Sequence, residues 1–172
     1  MRMWLTLCLL GYSFFATAGP GPFGFQIDKS KYNEVKINYS LTHIKDLDVA
    51  DVTYSAYSVE TKVLKFDGLH NGTLYFEKKS GVLKCVLLKL DVARYADIDS
   101  ILGKKYKTID KANTPLNDKY AVFEKSGTII KIDAPVLSSL MRLIYINKDI
   151  YTILNSKDTP STKKLDEEAA QL

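Results

Sequence analysis

Two segments of this chain repeat one another's chemistry, and between them they restrict what it can fold into. Phe76-Glu77-Lys78-Lys79-Ser80-Gly81-Val82-Leu83-Lys84 and Phe123-Glu124-Lys125-Ser126-Gly127-Thr128-Ile129-Ile130-Lys131 share Phe-Glu-Lys, then Ser-Gly, then two apolar residues ahead of a lysine. In each, a strand-favouring run breaks at Ser-Gly and resumes, which marks a β-hairpin. Strands are therefore expected over 73–77 and 82–90, and again over 120–125 and 128–133. Two readings of the echo stand. Either α-β-β modules over 19–91 and 92–147 arose by duplication, or a favourable hairpin turn recurred independently.

The rest of the chain fills in around these hairpins. Asp28 or Ser30 followed by Glu34 is a capping-box pattern and predicts a helix running to about Lys36. Tyr95, Ile98, Ile101, Leu102 and Tyr106 recur at helical spacing, so a second helix falls within 91–105. Residues 37–47 are ambiguous, 52–59 and 140–147 read as strands, and Val63, Leu64 and Phe66 as a short one. Asp67-Gly68 and Asn71-Gly72 both read as turns, and 110–119 with Pro115 as a polar break. Eleven tyrosines and seven phenylalanines suit β-structure. The expected class is α+β: an antiparallel sheet in one domain over 19–154, with helices packed on one face. A polar tail from 155 follows, with a frayed helix over 161–171, where Glu167 and Glu168 oppose the helix dipole.

The first eighteen residues read as a secretory signal peptide. Arg2 precedes an apolar stretch over 3–15, and Ala16-Thr17-Ala18 supplies small residues for cleavage. The stretch is too short to span a bilayer, so the mature chain is expected to be soluble and exported. A lipoprotein would need a cysteine at the expected cleavage point, and Gly19 stands there instead. Cys85 is then the lone mature cysteine, so no intramolecular disulfide is expected. That favours a bacterial periplasm over an animal secretory route. The sequons Asn38-Tyr39-Ser40 and Asn71-Gly72-Thr73 would matter only in the latter. The net charge of +4 is interspersed along the chain and forms no basic stripe of the kind nucleic acid requires.

Little catalytic chemistry is legible. His43 and His70 match no metal-ligand spacing, and no nucleophile elbow, P-loop or dinucleotide fingerprint is present. Asp46 and Asp48 begin like a calcium loop, but Ala50 occupies its fifth position. Cys85 lies in an apolar run and reads as a buried, unreactive thiol. A carboxylate pair remains open, so an envelope hydrolase is the alternative function. No cofactor and no metal are expected. Tyrosine combines rigid apolar area with a polar tip, and Tyr54 and Tyr57 with Asp67, His70 and Asn71 form the candidate binding site. The same rings also serve as half-buried strand packing.

The arrangement of Phe23-Gly24-Phe25, the hairpin over 76–90, Gly103-Lys104-Lys105-Tyr106 and the hairpin over 123–132 resembles the β-lactamase-inhibitor-protein-like modules. The resemblance covers most of the mature chain, and departs from those proteins where they carry disulfides. It implies helices on one face of an antiparallel sheet, with the other face binding protein. The expected function is thus an exported, non-catalytic protein-binding module of the bacterial envelope, its partner another envelope or secreted protein.

Overall fold

A computed structural model describes residues 20–113 and 118–156. The signal-peptide and tail-helix expectations lie outside these residues. The elements run α1 (Tyr32–Asn38), β1 (Leu41–Val49), β2 (Val52–Val59), β3 (Leu69–Glu77), β4 (Leu83–Asp91), α2 (Tyr95–Lys105), β5 (Lys107–Ala112), β6 (Lys119–Lys125), β7 (Thr128–Ala134), β8 (Leu140–Asn147) and α3 (Lys148–Asn155). Short 3-10 turns at Thr61–Leu64 and Val92–Arg94 link β2 to β3 and β4 to α2. All eight strands form one antiparallel sheet in the order β1-β2-β3-β4-β8-β7-β6-β5. One helix followed by a four-strand meander thus occurs twice, and the halves join where β4 pairs with β8.

The echoed hairpins are both present, yet they do not occupy equivalent places. The first is β3–β4, the third strand connection of its half; the second is β6–β7, the second connection of its half. The counterpart of β3–β4 is β7–β8, whose link through Pro135 has different chemistry. What recurs is turn chemistry. Ser126 and Gly127 sit at φ 49° and 76°, and Gly81 at 67°, conformations that tight hairpins demand and glycine adopts without strain.

Side-chain alternation assigns every strand two faces. Leu74, Phe76, Val86, Leu88, Leu90, Ala121, Phe123, Ile130, Ile132, Met141, Leu143 and Tyr145 point to one face and form the main core. Val35 of α1 and Tyr95, Ile98 and Leu102 of α2 close it, with Phe25 and Ile27 from the leading segment. A smaller core lies on the opposite face. There Val122, Ile129 and Ile146 carry Ile150, Tyr151 and Leu154 of α3. The expected single helix-bearing face is therefore corrected: α1 and α2 share one face, and α3 lies on the other. The reason is the near-continuous apolar run of β8 into α3, which supplies hydrophobic side chains to both sides of the sheet.

Several local expectations also change. α1 begins at Tyr32, where the Lys31 amide donates to Glu34 at 3.2 Å. Ser30 instead accepts from the Gln26 amide, and Asp28, at φ 64°, accepts from Lys84. The Val63–Leu64 run is a 3-10 turn, and edge strand β5 (107–112) runs into the start of the expected polar break over 110–119. Asn71-Gly72 is not a turn but part of β3. Glycine is needed there because a Cβ would lie 2.8 Å from Val59 Cγ1.

α3 depends on its cap. The Asn147 side chain accepts from the Asp149 and Ile150 amides at 3.0 and 3.1 Å, and donates to Asp28 at 2.7 Å. Asn147→Ala is expected to destabilise the protein by about 1 kcal/mol in urea denaturation, with early exchange of α3 amides. Unchanged α3 protection would show that the cap contributes nothing.

Candidate functional site

Beside α3 and partly beneath it, the face opposite the main core carries three parallel rows of side chains, each defined by strand register; Ile146 belongs to the small core, and Cys85, Tyr120 and Ile144 pack against it. One row runs Lys45, Ala56, Tyr75, Cys85 and Ile146 across β1, β2, β3, β4 and β8. The next runs Ser58, Thr73, Leu87, Ile144 and Lys131. The third runs Asn71, Lys89, Arg142, Asp133 and Tyr120. Leu47 and Tyr54 extend the first row's apolar edge. Tyr75, Leu87, Ile144 and Leu47 are half-buried, and Tyr54 and Ala56 are buried. Among the described helices, α3 is the one whose side chains pack on this face, and it does so over β6, β7 and β8.

The face is chemically quiet at its centre and charged along one side. Burial pushes the Cys85 thiol up to about 12, so it stays protonated and unreactive at neutral pH. Burial, with Cys85 adjacent, pushes the Tyr75 hydroxyl to about 12 as well. Along the third row Arg142 donates through Nε to Asp133 at 3.1 Å and also through Nη2.

The five residues expected to form a site do not converge. Tyr57 faces the main core, tilted against Tyr32 at 4.8 Å and edge-on to Phe76 at 5.9 Å, since it lies three positions from Tyr54 and so on the other face. Tyr54 and Asn71 share the α3-bearing face, but Tyr54 pairs with Glu77, six residues from Asn71 along β3. At about 3.3 Å per residue that separates them by roughly 20 Å. Asp67 and His70 lie at the sheet end, where Arg94 donates to Asp67 at 3.1 Å and His70 Nε2 is 2.7 Å from Asp91 Oδ1. Leu87, Ile144, Lys89 and Arg142 were not legible as a group, because their proximity arises from the β4–β8 pairing of distant segments. Lys89, a charge set within the apolar run over 85–90, was the available signal.

A second polar cluster sits beside Tyr57. Asp46 accepts from Lys78 at 2.7 Å, lies 3.0 Å from His43 Nε2, and is also hydrogen-bonded by Ser55. Those bonds, Lys78 first, hold the Asp46 carboxyl well below the usual carboxylate range. The carboxylate stands between serine and histidine, so the histidine is not aligned on the Ser55 hydroxyl, and a carboxylate held this acidic is a poor base for it. A permanently ionised Asp46 has the wrong sign for a general acid. No group of three or more candidate metal ligands occurs among the described residues.

No family model matches the sequence, and no curated protein or solved structure matches it either. No helix among the described residues is long and apolar enough to cross a membrane.

Proposed function

We propose that this chain is an exported, non-catalytic protein-binding module of the bacterial envelope, using the sheet face opposite α1 and α2. The observation that carries the reading is the stripe of Leu47, Tyr54, Tyr75, Leu87 and Ile144 across five strands beside a charged row. An apolar centre with aromatic rings and a polar rim is the anatomy of a protein interface. The site differs from the candidate set in keeping Tyr54 at its edge and replacing Tyr57 by Tyr75 and Leu87. Export rests on Arg2, the apolar stretch over 3–15 and Ala16-Thr17-Ala18. The resemblance to β-lactamase-inhibitor-protein-like modules belongs to the same proposal, since there too a sheet face is the binding element.

The test is capture by immobilised mature protein from an envelope extract, comparing the native chain with Leu87→Asp, Tyr75→Ala and, as control, Lys104→Ala on α2. A protein held by the native chain and by Lys104→Ala is expected to bind roughly thirtyfold more weakly to the face variants, about 2 kcal/mol at a hot spot. Circular dichroism checks that all variants are folded. Capture indifferent to both face variants would sink the proposal.

A further inference from the structure

Lys89 and Arg142 stand directly opposite one another across the β4–β8 pair, on the face without α1 and α2. Like charges at opposed sheet positions repel, so this arrangement is a liability unless something answers it. Asp133 answers Arg142 from the other side, on β7. Neither Lys89 nor Lys131 has an ion-pair or hydrogen-bond partner among the described residues, although both are half-buried. Elsewhere several lysines are paired, Lys78 with Asp46, Lys84 with Asp28, Lys111 with Asp99 and Lys148 with Glu124. Others without an ion pair, such as Lys62, Lys65, Lys79 and Lys104, are exposed, whereas Lys89 and Lys131 are half-buried beside the seam between the two halves. They border Leu87 and Ile144, the apolar centre of the same face.

We infer that this cationic row receives a carboxylate side chain of the partner protein, whose neighbouring apolar side chains lie over Leu87, Ile144 and Tyr75. The inference rests on the binding-module reading and adds the partner's chemistry: an acidic residue flanked by apolar ones. A carboxylate placed between Lys89 and Arg142 would turn a repulsive pair into two attractive ones. It would do so on a partly desolvated surface, where charge pairs are worth more than at an exposed rim. Three cations against the single carboxylate of Asp133 leave room for that added negative charge.

The probe is a short blocked peptide alternating leucine and glutamate, titrated into the full mature protein and followed by two-dimensional amide NMR. Saturable shifts are expected at Leu87, Lys89, Arg142 and Ile144. The counterpart peptide with lysine for glutamate should give none. Lys89→Glu should weaken binding about tenfold, whereas Lys104→Glu on α2 should not. Shifts scattered over other lysines, or unchanged by Lys89→Glu, would overturn the inference. So would binding to phosphatidylglycerol vesicles that depends on Lys89 while the peptide gives no saturable shift, since that result assigns the row to an anionic lipid surface. Failure here is separable from failure of the module. A captured partner lost on Leu87→Asp but indifferent to Lys89→Glu removes the charge assignment and leaves the binding face standing.

Discussion

Replacing Phe123 with alanine is expected to lower the unfolding free energy by about 3–5 kcal/mol. The ring is 1% exposed and lies in the main core on β6, between Thr108 of β5 and Ile130 of β7. It also supports α2. A Cβ placed on Gly103 would come 3.9 Å from the Phe123 ring, so the helix backbone rests almost directly on the phenylalanine. Truncation opens a cavity that a sheet tied on both sides cannot collapse to fill, which places the effect at the severe end for a core residue. Leu137, fully exposed in the β7–β8 link, is the contrast: Leu137→Ala should change stability by no more than about 0.5 kcal/mol. Guanidinium denaturation at a constant m-value decides it. Equal small effects at both positions would mean that α2 and β6 are not held by this contact.

The face on which binding is proposed is a product of pairings that no local pattern reveals. Hairpins were legible because a Ser-Gly break between β-favouring runs has one structural solution, and β8 because an apolar run of strand length follows a proline. The β4–β8 pairing joins segments about fifty residues apart, and only it brings Lys89 beside Arg142. α3 was hidden because Ile150, Tyr151, Ile153 and Leu154 extend the apolar character of β8. Asn147 ahead of Asp149 was the one sign that a helix starts there. Edge strand β5 was hidden for the opposite reason: Lys107-Thr108-Ile109-Asp110-Lys111-Ala112 is polar because an edge needs charge to discourage pairing with another chain. Asn71-Gly72 misled because glycine serves packing against Val59 there, not a turn. Tyr57 misled because residue type places no ring on a face; register does, and three positions from Tyr54 is the other side.

Stability should be flat from neutral pH up to about 9 and fall steeply above it. Burial raises the Cys85 thiol from 9.0 to about 12 and the Tyr75 hydroxyl from 10.0 to about 12, and it raises Tyr145 likewise. In the unfolded chain these groups release their protons near their ordinary values, while the folded protein retains them. Above 9 the unfolded state therefore binds fewer protons, and the unfolding free energy drops as pH rises. Each group contributes at most about 1.4 kcal/mol per pH unit between its unfolded and folded values. The stabilisation is complete below 9 and is spent by about 12. Guanidinium titrations at stepped alkaline pH should show the decline beginning near 9 in the native protein and nearer 10 in Cys85→Ala. Tyr75→Phe should make the fall shallower above 10. A decline that begins by pH 8, or one that Cys85→Ala leaves unmoved, would show that the thiol is not held neutral by the fold. The outcome bears on binding because Cys85 and Tyr75 are neighbours in the first row of the proposed face. While both stay neutral, no anion on that row competes with an incoming carboxylate for Lys89 and Arg142.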